Sequence, residues 1–182
     1  MTDDVGTWEA LTPTQVAVML GPFDGPWWIA GGVALDLYVG TATREHHDID
    51  VAVFRDHWPA VADALPGWDF RVGTNEAWAR RTDDGPWLVE FLLEDRAGPD
   101  WVYRRHPEVT LPIADVGLVT EQGIPFERPE VVLLYKAKYS EEPRHEADLV
   151  AVLPKMGIGA RAWLVGALDV AHPGHPWMNR IL

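Results

Sequence analysis

Asp48-Ile49-Asp50 places two carboxylates two residues apart. On a strand such a pair shares one face, close enough to repel unless a proton or a cation intervenes. A divalent metal is the economical partner; the plain alternative is a solvated pair on an exposed strand face. Ile49, Val51 and Val53 favour the first reading by marking a buried opposite face. So does the Gly31-Gly32 turn upstream, where backbone amides can come close to a ligand. Glu90 is the third acid of interest. It sits inside the apolar run Trp87 to Leu93, where a buried carboxylate needs a charged partner, unless it faces solvent or pairs with an Arg. If the two strands are neighbours, Asp48, Asp50 and Glu90 form a cluster suited to two Mg²⁺ ions gripping phosphate oxygens. His46 and His47 raise a rival, a His and Asp site for Zn²⁺ or Fe, against which the β pattern after them speaks; His46 otherwise reads as a phosphate contact or a polar loop residue. His172 and His175 read as a terminal loop, with metal ligation as the other option. Phosphate-loop, dinucleotide-loop, zincin and nucleophile-elbow patterns do not occur.

The elements that must position these groups follow from local chemistry. Thr12-Pro13 opens a helix that Gly21-Pro22 stops, and Trp27 to Ala30 is a short buried strand ending at the two glycines. Val33 to Tyr38 predicts a buried helix closed by Gly40, and a polar link from Thr41 to His47 leads into a strand from Asp48 to Phe54. A helix over 56–65, strands at 68–72 and 77–81 and the strand at 87–93 come next. From Ala97 to Gly123 only a strand near Val109 to Ile113 is legible. Helices are expected from Pro129 to Tyr139, Pro143 to Leu153 and Gly159 to Ala171. The order predicts an α/β (α+β) fold, a mixed β-sheet flanked by helices and followed by a short helical C-terminal region. Residues 1–126 are the α/β core and 127–182 a helical region packed on it as one unit.

Composition narrows the partners. A chain of 182 residues with a net charge of -13 lacks the basic surface that broad nucleic-acid binding needs, whereas a cationic small molecule would be drawn towards it. No apolar run spans a bilayer, and the acidic start Met1 to Asp4 is unlike a secretory signal, which leads us to expect a cytoplasmic protein with no membrane partner. With no cysteine, thiolate metal sites are excluded. Trp27, Trp68, Trp87 and Trp177, each near Pro or Gly, are read as core wedges.

Ile29-Ala30-Gly31-Gly32, fifteen residues, then Asp48-Ile49-Asp50-Val51 resembles the signature of the DNA polymerase β-like nucleotidyltransferase superfamily. Gly31 to Asp36, Gly40 and Thr43 to Asp50 are similar to the branch that contains aminoglycoside 2''-nucleotidyltransferases and lincosamide nucleotidyltransferases. The resemblance continues in Arg128 to Lys138, where members carry a Pro-opened helix whose Lys, here Lys136, faces the nucleotide phosphates. Members often follow with Arg-x-Lys-Asp-x-x-Asp; this chain reads Arg144-His145-Glu146-Ala147-Asp148, which departs from that pattern. The resemblance covers most of residues 27 to 153 and leaves acceptor specificity to the N-terminal helix and the last thirty residues. It implies a metal-dependent nucleotidyltransferase that moves a nucleoside monophosphate, AMP from ATP, to a hydroxyl of a small molecule such as an aminoglycoside-type antibiotic, with release of pyrophosphate and a role in antibiotic resistance. Asp48 and Asp50 would hold Mg²⁺, Glu90 would be third ligand or base, and Gly31, Gly32, Arg44, His46 and Lys136 would bind the nucleotide. The alternatives are a toxin-antitoxin or regulatory nucleotidyltransferase acting on protein or RNA, and a silent nucleotide-binding module.

Overall fold

The computed structural model describes residues 6–181; the acidic start Met1 to Asp4 lies outside them. Helix α1 (Pro13–Met19) is fixed by a reciprocal cap: Gln15 N–H donates to Thr12 Oγ1, and Thr12 N–H to Gln15 Oε1. Strand β1 (Trp27–Ile29) feeds directly into α2 (Gly31–Val39), which Gly40 closes in the left-handed conformation at φ 86°. Strand β2 (Asp50–Phe54) leads through a single 3₁₀ turn to α3 (Trp58–Asp63), and β3 (Asp69–Val72) and β4 (Glu76–Arg80) form a hairpin. Next come β5 (Val89–Ala97), β6 (Asp100–Val102), β7 (Thr110–Pro112), β8 (Gly117–Val119) and β9 (Pro125–Glu127). Helices α4 (Pro129–Ala137), α5 (Pro143–Val152), α6 (Ile158–Ala171) and α7 (Met178–Ile181) finish the chain.

The sheet runs β3-β4-β5-β2-β1-β9-β8, with β6 on the far end of β5 and β7 beyond it. It is mixed: β2 is parallel to β5 and antiparallel to β1, and β1 is parallel to β9. This matches the expected mixed sheet flanked by helices and followed by helices. Strand β2 departs from the expectation of one buried face, since Val51, Ala52, Val53 and Phe54 are all buried. A central strand with neighbours on both sides and cover above and below loses its polar face. It also starts at Asp50, so Asp48 sits on the preceding loop and not in the ladder.

Strand β5 runs four residues past the expected end at Leu93. Its acidic tail is tolerated because the charges are met: Arg55 Nε donates to Asp95 at 2.8 Å, and Glu94 accepts from Trp101 and Tyr135. The expectation of a strand near Val109 corresponds to β7. Strands β6, β8 and β9 escaped notice because three residues are too few to show a period. Helix α4 is the core helix, with Val131 to Leu134 buried all round, and it packs against α2, α5 and α6. Trp87 and Trp177 are buried as expected, whereas Trp27 and Trp68 are only half-buried. No helix among the described residues is long and apolar enough to cross a membrane.

Candidate active site

The sheet register assembles the acids. Asp50, first in β2, is paired across the parallel ladder with Glu90 of β5, and neighbouring strands lie about 4.8 Å apart. Asp48 reaches the same place from the loop. One oxygen from each of Asp48, Asp50 and Glu90 lies within 4.8 Å of the others, and among the described residues this is the trio of potential metal donors close enough to share an ion. The histidines at 46, 47, 172 and 175 fall outside it; His47 is exposed, and His175 packs back on the carbonyl of Ala137 at the end of α4.

Electrostatics show what this crowding costs. Burial, then the neighbouring Glu90 and Asp48, push the Asp50 carboxyl up to about 8, against the opposing pull of Lys136 and Arg44. Burial likewise raises Glu90, opposed by a hydrogen bond from the Trp78 indole. Three hard oxygen donors whose mutual repulsion is unrelieved fit a divalent cation such as Mg²⁺.

The glycines serve geometry here. Gly31 has φ 61°, and a Cβ on it would overlap Asp50 Oδ2; a Cβ on Gly32 would overlap Arg44 Nη2 and His46. Being the first two residues of α2, they also leave backbone N–H groups free at a helix start, where anions are favoured.

Asp36, the one acid of α2, organises the loop between α2 and β2. It accepts from Thr43 N at 2.9 Å and Thr43 Oγ1 at 2.6 Å, and pairs with His46 Nε2 at 2.7 Å. On the other side Asp148 of α5, only 2% exposed, bridges two cations: Lys136 Nζ at 2.8 Å and Arg44 Nε at 3.2 Å. Burial raises the Asp148 carboxyl, but Lys136 and Arg44 outweigh it and hold it below the ordinary range. Arg44, His46, Lys136, Arg144 and His145 thus line a cavity of about 180 Å³ that also touches Asp48, Asp50 and Gly32.

The eight residues expected to hold metal or nucleotide, Gly31, Gly32, Arg44, His46, Asp48, Asp50, Glu90 and Lys136, therefore lie together at one end of the sheet. Reading the sequence missed Asp148, Glu94, Glu127 and Arg104. Asp148 stands in the stretch that departs from the family pattern, and only its distance contacts reveal it. Glu94 follows Glu90 by four residues, a same-face spacing on a strand that could have been noticed had the strand been extended. Glu127 ends the short strand β9 and Arg104 follows the short strand β6, neither long enough to show a period.

A family model described as aminoglycoside-2''-adenylyltransferase matches residues 14–86, a span that holds all of α1 but its first residue, the paired glycines, Asp48 and Asp50. Solved structures agree with it in fold. ANT(2'')-Ia in complex with adenylyl-2''-tobramycin is 19% identical, covering 86% of this chain and 97% of that one at a TM-score of 0.63. The lincosamide antibiotic adenylyltransferase LnuA, lincomycin-bound, is 19% identical over 79% of this chain and 97% of that one, TM-score 0.57. An antigenic nucleotidyltransferase-like protein from Paracoccidioides brasiliensis is 17% identical over 93% and 90%, TM-score 0.55. No curated protein matches the sequence significantly. The chain thus has the fold of these nucleotidyltransferases; its resemblance to the aminoglycoside enzymes is carried by the family match over residues 14–86 as well as by architecture, and that to the lincosamide enzyme by architecture alone.

Proposed function

We propose that this protein is a metal-dependent nucleotidyltransferase that moves AMP from ATP to a hydroxyl of a small, antibiotic-like acceptor and releases pyrophosphate. The observation that carries the reading is the Asp48, Asp50 and Glu90 cluster set against a cavity walled by Arg44, His46 and Lys136, beside a glycine helix start. In this reading Asp48, Asp50 and Glu90 would hold Mg²⁺, two ions in the full complex. When bound there, the metal would supply Lewis-acid charge neutralisation to the triphosphate.

The chain's own groups do the rest. Gly31 and Gly32 present amide N–H groups to phosphate oxygens, and the missing side chains let the phosphates approach. Arg44, His46 and Lys136 put positive charge where the departing pyrophosphate gathers negative charge, held there by Asp148 and Asp36 before substrate arrives. Glu90, next to Asp50, takes the proton of the acceptor hydroxyl. The domain reading fits this division: residues 1–126 carry the acids and glycines, and 127–182 bring Lys136 and Asp148 and pack as one unit with them. A protein that uses cellular ATP and carries a net charge of -13 fits a cytoplasmic enzyme with a small-molecule acceptor better than one acting on nucleic acid.

The test is pyrophosphate release from each of the four NTPs with Mg²⁺, against aminoglycosides, lincosamides and an acceptor-free control. Release from ATP that requires both Mg²⁺ and one acceptor is expected. Nucleotide binding with no acceptor-dependent release from any member would overturn the reading.

A further inference from the structure

Three elements far apart in the chain bring basic side chains together where α4 and α6 end. Arg105 and His106 come from the loop between β6 and β7, Lys138 from the end of α4, and His172 from the position that follows α6. Burial, and then the basic neighbours His175, Arg105, Lys138 and His106, hold the His172 imidazole below its ordinary range. Aromatic rings fix the two permanent cations without neutralising them. The Arg105 guanidinium lies 5.3 Å from the centre of the Tyr135 ring and 5.4 Å from that of Tyr139, and Lys138 Nζ lies 5.3 Å from the centre of the Tyr139 ring. An acid does approach, Glu108, 3.7 Å from His106 Nδ1, but at 81% exposure its charge is spent largely on water.

Helix ends account for part of this gathering. The last carbonyls of α4 favour positive charge and donors, and two groups meet them: Arg105 Nη1 donates to the Tyr135 carbonyl at 2.9 Å, and His175 Nε2 donates to that of Ala137 at 3.0 Å while its Nδ1 accepts from Trp177 N–H. His175 is thereby used up. His172 Nε2 and His106 Nδ1 are not; both are buried ring nitrogens without a hydrogen-bond partner, a rare state for a buried polar atom. Gathering like charges raises the cost of each, and an anion reverses that sign. A metal ion is the wrong occupant, since it would add to the positive charge, and among the described residues these histidines belong to no trio of donors close enough to share one.

We infer that this corner is an anion site for a phosphate group, with Arg105 and Lys138 supplying charge and His106 and His172 supplying ring N–H groups. Phosphate fits better than carboxylate because the donors arrive from three elements: a tetrahedral phosphate offers an oxygen to each, whereas a carboxylate presents two oxygens in one plane. Binding carries proton uptake with it. A neighbouring anion favours the charged imidazole, so the midpoint of His172 rises back towards its ordinary value. The inference stands apart from the nucleotidyl-transfer reading, since none of these side chains is among those assigned to metal or nucleotide.

Ring resonances of His172 and His106, with His46 as monitor of the basic cavity, are followed by NMR in the whole protein. It is titrated with inorganic phosphate, glucose 6-phosphate, acetate and chloride at matched pH and ionic strength. Both phosphates are expected to shift His172 and His106 at concentrations where acetate and chloride do not, and to raise the His172 midpoint; the tighter of the two assigns the source, free ion or phosphorylated organic molecule. Lys138→Gln, a change at an exposed position, should weaken the response about tenfold, the worth of one charge-assisted contact. The response should persist with MgATP in excess. Equal responses to phosphate and acetate, no response, an unchanged response in Lys138→Gln, or its disappearance under MgATP overturns the inference; in the last case the phosphate had been held in the nucleotide cavity. The wild-type titrations decide the matter whatever the fate of the variant. Failure of MgATP to move His46 would strike the nucleotidyl-transfer reading and leave this one standing.

Discussion

Replacing Asp148 by Asn strands two cations at once. In the folded protein Lys136, 11% exposed, has Asp148 Oδ2 at 2.8 Å, and Arg44, 29% exposed, has Oδ1 at 3.2 Å. Removing the charged partner of a buried pair costs about 3–5 kcal/mol. Asn keeps one acceptor oxygen, and Arg44 can turn partly to water, which places this variant near the low end, about 3 kcal/mol. For a chain of this size that is a fall in Tm of about 6–12 °C. Thermal unfolding followed by circular dichroism measures it. The double variant Asp148→Asn with Lys136→Met removes the more deeply buried of the two stranded charges, and it should recover more than half of the loss, a coupling that a double-mutant cycle isolates. ATP should bind both variants with a higher KM, because Arg44 loses its anchor. If Asp148→Asn melts within about 2 °C of wild type, less than about 1 kcal/mol at this chain length, the bridge does not hold the two cations and the account of how they are positioned is wrong.

Other expectations follow from the same site. Asp50→Asn should abolish turnover, a loss of at least about 100-fold, while leaving the metal-free protein as stable as wild type or more so, since it relieves repulsion from Glu90 and Asp48; a folded, active Asp50→Asn protein would sink the metal assignment. The folded protein keeps the Asp50 proton up to about 8 while the unfolded chain releases it near the ordinary value of 3.8, so metal-free stability should fall as pH rises through that interval and level off above it. Asp50→Asn should flatten that slope in denaturant titrations from pH 5 to pH 9. Mg²⁺ at about 100 times its Kd should add about 2.7 kcal/mol, with a correspondingly higher Tm, whereas Asp48→Asn should blunt that gain. Gly31→Ala should cost about 1–3 kcal/mol by calorimetry, because φ is 61° and the new Cβ meets Asp50.

The legible parts of this site were those written in local chemistry. Asp48 and Asp50 could be recognised from their spacing, the glycines from their place after a short apolar run, and Glu90 from its isolation within apolar neighbours. What remained hidden depends on contacts distant in the chain. Asp148 meets Arg44 across 104 positions, and Glu94 meets Tyr135 across 41, so no window of sequence contains either pair. The strand at Asp50 shows a subtler limit. Its alternation suggested one buried face, but being central in the sheet made every residue from Val51 to Phe54 buried, and that follows from neighbours which only the assembled fold supplies.

Asp36 ties helix α2 to the loop that leads into β2. By holding both Thr43 and His46, it fixes the loop that carries Arg44 before any nucleotide arrives. The conformational freedom of that loop is lost when the chain folds, so a nucleotide does not have to order it. Association should then proceed as a single fast step, limited by encounter, with no slow loop-closing phase in stopped-flow traces.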